Sequence, residues 1–227
     1  MDKRYVLFDL DGTLTDSFEG IKNAMTYCLS KYGITPKAEE LSRVIGPPVV
    51  WSLKTFYNIE GEQGLEALRY FREYYDNKGC FENKVYDGVE EMLKTLAAHG
   101  KKLMIATSKP EPMAIKVLEH FGLTDYFCFI SGSMAENEQD NYYTEHKNTN
   151  PRISKEDVIR YAIEENGIRD LEHAVMIGDR RWDIDAAKKV GIDTIGVRYG
   201  YADEGELETA GADIIVDTPM DIVGRIL

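Results

Sequence analysis

Basic residues are scarce in this chain: 27 Lys and Arg stand against 40 Asp and Glu over 227 residues, a formal charge of -13. That balance repels polyanions, which excludes non-specific attraction to nucleic acid or an anionic membrane as the basis of function. Any anionic ligand must be held by local charge. Cysteine is rare too. Cys28, Cys80 and Cys128 are odd in number, scattered and without metal-ligand spacing, which excludes a disulfide framework or a zinc knuckle and predicts three buried, reduced thiols. Only a short apolar run, Tyr5 to Phe8, precedes Asp9. It is far too short for a signal peptide's hydrophobic region or a membrane span, and with no Asn-x-Ser/Thr anywhere the expectation is a cytoplasmic protein with no membrane partner.

What is present begins at that run. Tyr5 to Phe8 reads as a buried strand, and Gly12 lets the chain turn just after Asp11, so Asp9 and Asp11 come off the strand's carboxyl end. That edge is where open α/β sheets bind ligands. Asp and Gly also form ordinary turns, but two carboxylates so close are both ionised only beside a cation, and a divalent metal is the natural one.

The length suits one core domain carrying a smaller insert. After Ser17 the periodicity is helical: Ile21, Met25, Cys28, Leu29 and Tyr32 share one face. Further helices are predicted at Ala38–Val44, Val50–Phe56 and Leu65–Tyr75, split by Gly46-Pro47-Pro48 and by Gly61 and Gly64. We therefore expect an all-helical insert over 18–83 in an α/β core made of 1–17 and 84–227. From Gly88 helices and strands alternate as in a parallel sheet. The strands are expected at Lys102–Thr107, Phe127–Ile130, Ala174–Ile177, Thr194–Val197 and Ile214–Val216, and the helices at Val89–Ala98, Glu111–Phe121, Lys155–Asn166, Ile184–Val190, Glu204–Ala210 and Met220–Leu227. Gly132–Arg152 is polar and aperiodic, and reads as an exposed loop.

Two more strand ends carry polar chemistry. Leu103–Ala106 runs into Thr107-Ser108-Lys109-Pro110, where a hydroxyl and backbone amides could hold phosphate oxygens or simply cap the next helix. Ala174–Ile177 runs into Gly178-Asp179-Arg180-Arg181-Trp182-Asp183. If a helix begins near Asp179, both aspartates lie on one face at its positive end and can complete an oxygen-ligand site with Asp9. Lys155 stands at a helix start, electrostatically the wrong end for a cation, so it wants an anionic partner.

In this order the chain resembles the haloacid dehalogenase superfamily of aspartate-nucleophile phosphotransferases. Asp9-Leu10-Asp11-Gly12-Thr13-Leu14 is similar to its first motif, Thr107 to its second, Lys155 to its third (with Lys147 in reserve) and Gly178-Asp179-x-x-x-Asp183 to its fourth. The helical insert resembles the small cap of the phosphoglycolate phosphatase-like branch. The resemblance implies a Rossmann-like parallel sheet with helices on both faces plus a helical cap. It also implies a Mg2+-dependent phosphatase acting on a small phosphomonoester: phosphoglycolate-like, sugar phosphate or nucleotide. Asp9 would be the nucleophile, Asp11 the acid and base, and Thr107 and Lys155 the charge stabilisers. Mg2+ would be held by Asp9, Asp11, Asp179 and Asp183. Leu10, Gly12, Ser108 and Lys109 would bind substrate, together with Arg43 and Gly46 of the cap. A β-phosphoglucomutase-like transferase and a non-catalytic phosphate-binding or regulatory module of the same fold are the alternatives, and monomer and dimer are both open.

Overall fold

The computed structural model describes residues 2–45, 47–134 and 152–227, with only the backbone of Ser42. Gly46, Lys147 and most of the polar stretch lie outside the described residues. The chain forms two compact units, Met1–Thr15 with Val85–Leu227, and Asp16–Lys84.

The first unit is built on six strands. Val6–Phe8, Leu103–Ala106 and Val175–Ile177 are near-continuous apolar runs, the pattern of strands buried on both faces. They belong to β1 (Tyr5–Phe8), β4 (Lys102–Pro110) and β6 (Ala174–Gly178). With β5 (Phe129–Ser133), β7 (Asp193–Val197) and β8 (Ile214–Val216) they make a parallel sheet ordered β5-β4-β1-β6-β7-β8. The numbering leaves β2 (Thr15–Asp16) and β3 (Lys84–Val85) for the two short linkers, which pair with each other.

Crossover helices cover the sheet: α5 (Val89–Ala98), α6 (Glu111–His120), α7 (Lys155–Glu165), α8 (Arg181–Val190), α9 (Glu206–Ala210) and α10 (Pro219–Ile226). Leu7, Met104 and Met176, on one face of the central strands, join Val158, Ile159 and Ala162 of α7 and Ala187 and Val190 of α8 in one buried cluster. This is the Rossmann-like α/β core that the alternation implied.

Several bounds differ from the sequence reading. β4 runs on to Pro110, and β5 reaches Ser133 instead of ending at Ile130. Of the stretch read as a loop, Gly132 and Ser133 are strand and Met134 pairs with Arg152. Helix α8 starts at Arg181, ahead of Ile184, because its first turn is polar and invisible to an apolar periodicity. Cys28 and Cys80 are buried, but Cys128 is exposed, on the approach to the edge strand β5.

The second unit is helical: α1 (Phe18–Ser30), α2 (Ala38–Leu41), α3 (Val49–Tyr57) and α4 (Gly61–Tyr75). Ile21, Met25, Cys28 and Leu29 of α1 are buried, as are Ala67, Leu68, Phe71 and Tyr75 of α4, and the two helices pack together. Gly61 and Gly64, read as breaks, instead lie in the first turn of α4, where Gly61 takes φ +61° and the Gly64 amide donates to the Glu60 carbonyl (3.2 Å). No helix among the described residues is long and apolar enough to cross a membrane. Truncating the fully buried Leu7 to Ala should cost about 2–5 kcal/mol of stability by cavity formation, read as a lower urea midpoint at unchanged slope.

Candidate active site

Parallel register builds the site. Phe8 of β1 stands opposite Ile105 of β4 and Ile177 of β6, so the residues after each come off one edge together: Asp9, Ala106-Thr107 and Gly178-Asp179. The Asp9 amide donates to the Ile177 carbonyl (2.9 Å), which prolongs the ladder into the site. A tight turn follows, in which the Leu10 carbonyl accepts from the amides of Leu14 (2.9 Å) and Thr15 (3.0 Å). Gly12 has φ +86°, and a Cβ there would lie 2.2 Å from Asp179 Oδ2. Only glycine lets the turn bend this way against that carboxylate. The Gly12 amide donates to the Thr15 carbonyl (2.7 Å), which helps to close the turn.

Asp9, Asp179 and Asp183 are all buried, with a carboxylate oxygen from each within 4.8 Å of the others. Lys155 threads between two of them, its Nζ 2.8 Å from Asp9 Oδ1 and 2.7 Å from Asp183 Oδ1. It is the first residue of α7, and Ser154 caps that helix by accepting from the Asp157 amide (3.1 Å). The anionic partners it wanted are thus Asp9 and Asp183. Asp179 Oδ1 accepts from the Thr13 hydroxyl (3.3 Å) and Oδ2 from the Tyr201 amide (2.8 Å).

The two aspartates of the fourth motif are not on one helix face. Asp179 precedes α8, whereas Asp183 lies in its first turn and accepts from the Arg180 amide (3.1 Å). Strand end and helix start make an angle at Arg180, and that angle aims both carboxylates at Asp9. Arg180 itself pairs with Glu206 (2.9 Å).

Asp11 is held apart from the trio by Lys109, whose Nζ is 2.7 Å from Asp11 Oδ2. Between Ala106 and Pro110 the pairing of β4 with β5 shifts register, so Thr107, Ser108 and Lys109 leave the ladder. The Thr107 hydroxyl accepts from the Lys109 amide (3.2 Å) and keeps its own proton for another acceptor. It does not cap α6, which starts after Pro110 without a side-chain cap. Arg43 belongs to the second unit, exposed in a 3-10 turn over Ser42–Val44.

Residues that the sequence reading passed over complete the surroundings. Tyr199 donates to the Thr13 carbonyl (3.0 Å), and burial, then the Asp179 charge, holds its phenol well above the ordinary range, so it stays a donor. A Cβ on Gly200 would meet Asp179 Cβ at 2.3 Å.

Crowding shows in the acid–base behaviour. Burial, then the charges of Asp183 and Asp9, raises the Asp179 carboxyl well above the ordinary carboxylate range. Burial pushes Asp183 up to about 6 against the pull of Lys155. Burial disfavours the Lys155 charge, but Asp183 and Asp9 outweigh it and the ammonium is held above its usual value. Asp11 Oδ1 is buried without a hydrogen-bond partner, and Asp9 Oδ1 meets Lys155 as an ion contact without hydrogen-bond alignment. Three converging carboxylates, one of them under-satisfied, fit a hard divalent cation.

The comparisons agree with this geometry. Residues 6–197 match the family model described as haloacid dehalogenase-like hydrolase, and the chain belongs to that family. Among its relatives are a 5′-nucleotidase of Pseudomonas aeruginosa, 36% identical over 203 residues (89% of this chain, 86% of the relative), and a phosphoglycolate phosphatase of Agrobacterium fabrum, 27% identical over 219 residues (93% and 87%). The tyrosine-protein kinase PtkA of Mycobacterium tuberculosis is 36% identical over 198 residues; the match spans 86% of this chain but 62% of that protein. The crystal structure of a predicted phosphatase from Clostridium acetobutylicum superposes with a TM-score of 0.88 at 42% identity, covering 100% of this chain and 99% of that one. Within its family the chain is a phosphoric monoester hydrolase.

A carboxyl whose pKa is raised by folding binds its proton more tightly folded than unfolded. Its contribution to stability is therefore present at acid pH and lost as pH rises from 3.8 through about 6. Cation binding needs the ionised form and runs the other way. The melting-temperature gain from millimolar divalent cation should be near zero at pH 5 and several degrees at pH 7.5; a gain larger at pH 5 would refute the carboxylate site.

Proposed function

We propose that the protein is a Mg2+-dependent phosphatase of small phosphomonoesters that works through an aspartyl-phosphate on Asp9. The observation that carries this reading is the separate housing of two aspartates two positions apart: Asp9 among Lys155, Asp179 and Asp183, and Asp11 with Lys109. In the first step an Asp9 carboxylate oxygen attacks phosphorus, the ester P–O bond breaks, and Asp11, acting as general acid, gives a proton to the leaving oxygen. In the second, Asp11 takes a proton from water, the water oxygen attacks phosphorus, and the bond to Asp9 breaks to release phosphate. Lys155, the Thr107 hydroxyl and main-chain amides near Leu10 and Ser108 would stabilise charge on the equatorial oxygens. Mg2+, held by Asp9, Asp179, Asp183 and the Asp11 carbonyl, would supply charge neutralisation between phosphate and carboxylates.

The substrate follows from kinship more than from the core. The 36% identity to a protein named 5′-nucleotidase puts nucleoside 5′-monophosphates first in a panel, with phosphoglycolate and sugar phosphates next. We assign choice of the alcohol half to the helical unit, with Arg43 as its candidate contact and the unit as cap.

Phosphate release from that panel should require Mg2+, stop with EDTA and fall about a thousandfold or more in Asp9→Asn. Release that survives Asp9→Asn would sink the aspartyl-phosphate. Loss of the ester without free phosphate, the phosphoryl group appearing on a second hydroxyl, would mark a mutase.

A further inference from the structure

An ion pair between buried Arg152 and half-buried Glu111, away from the carboxylate trio, has no part in the steps above. Arg152 is 4% exposed, and its guanidinium is engaged on three sides: NH2 donates to Glu111 Oε2 (2.6 Å), Nε to the Gly132 carbonyl (2.9 Å), and its face lies over the Tyr161 ring (4.0 Å). Its backbone is held as well, by paired bonds with Met134 of 2.9 and 2.7 Å. Glu111 Oε2 also accepts from the Gly132 amide (3.2 Å). One node thus ties the end of β5, the start of α6 and, through Tyr161, the body of α7.

What leaves this node is the pair of active-site ammoniums. Glu111 is the first residue of α6, two positions after Lys109, which faces Asp11. Arg152 is three positions before Lys155, which faces Asp9 and Asp183. The intervening Ile153 and Ser154 have little freedom, because both amides donate to Asp157 Oδ2 (3.2 and 2.8 Å). Gly132 closes the gap between the two branches: a Cβ there would meet Glu111 Cα at 2.4 Å and the Lys109 carbonyl at 2.7 Å. The strand end lies directly on the Lys109–Glu111 backbone, and no larger residue fits.

We propose that Arg152 is a positioning residue for the hydrolysis, setting through Glu111 and Gly132 the spacing between the Lys109 and Lys155 ammoniums. The proposal rests on the phosphatase reading above. A planar guanidinium reaches Glu111 and Gly132 from two different nitrogens held in a fixed fork, a geometry that the single nitrogen of an ammonium does not reproduce. Arg152→Lys therefore keeps the charge and loosens the node. A misplacement on the order of 1 Å costs about a hundredfold in rate.

The test measures kcat, KM, melting temperature and calorimetric affinity for inorganic phosphate with Mg2+, in the unaltered protein, Arg152→Lys and Arg152→Gln/Glu111→Gln. The double variant removes both charges together and serves if the single one fails to fold. We expect kcat to fall about 10- to 100-fold and phosphate to bind about tenfold more weakly, at a melting temperature within a few degrees. Lower melting temperature with kcat and phosphate affinity unchanged means a merely structural bridge and overturns the proposal. If the unaltered protein releases no phosphate from any ester, the phosphatase reading fails on that result, and the phosphate affinities alone decide about Arg152. An unaltered protein that binds no phosphate overturns the positioning role too.

Discussion

Three carboxylates share one buried corner of this fold, and the arrangement around them answers to their repulsion. Two like charges about 4 Å apart at an effective dielectric near 20 repel by roughly 4 kcal/mol, against a total stability of only about 5–15 kcal/mol for a typical domain. Neutralisation is therefore a condition of folding as well as of chemistry. Lys155 meets two of the three, Asp179 takes the Tyr201 amide and the Thr13 hydroxyl, and Asp183 takes the Arg180 amide. These donors arrive from α7, from the segment after β7, from the first turn after β1 and from the start of α8. A single sheet edge where parallel strands end together is what lets so many segments converge.

The same geometry gives Asp9 and Asp11 different surroundings. Two positions apart on the chain, they face different cations: Lys155 for one, Lys109 for the other. The roles proposed for the two, nucleophile and acid–base group, call for such a difference of environment. It belongs to the core unit. Relatives named for different substrates match nearly the whole chain, so the fold does not by itself select the alcohol.

Apolar runs, a glycine after paired aspartates and helix–strand alternation were enough to read the parallel core, because each is a local pattern of a few residues. Asp9, Asp11 and Asp179 stood out for the same reason: each follows such a run within a residue or three. Their partners did not stand out. The choice of Lys155 over Lys147 came from resemblance, and the Arg152–Glu111 and Arg180–Glu206 pairs join residues 41 and 26 positions apart. Neither has a periodicity to betray it. The extension of β4 to Pro110 depends likewise on its pairing with Ser133 at the end of β5.

The sequence by itself determined that two aspartates leave a buried strand at a glycine turn, and that further strands end in a hydroxyl segment and a second acid pair, since strand burial and turn chemistry are set by near neighbours. Only the tertiary structure decided which cation faces which carboxylate, that Gly12 makes room for Asp179, and that Asp183 caps a helix while Asp179 precedes it. Those outcomes depend on parallel register between strands nearly a hundred residues or more apart, where Phe8 meets Ile105 and Ile177. No local pattern encodes the distance between two side chains that the sheet alone brings together.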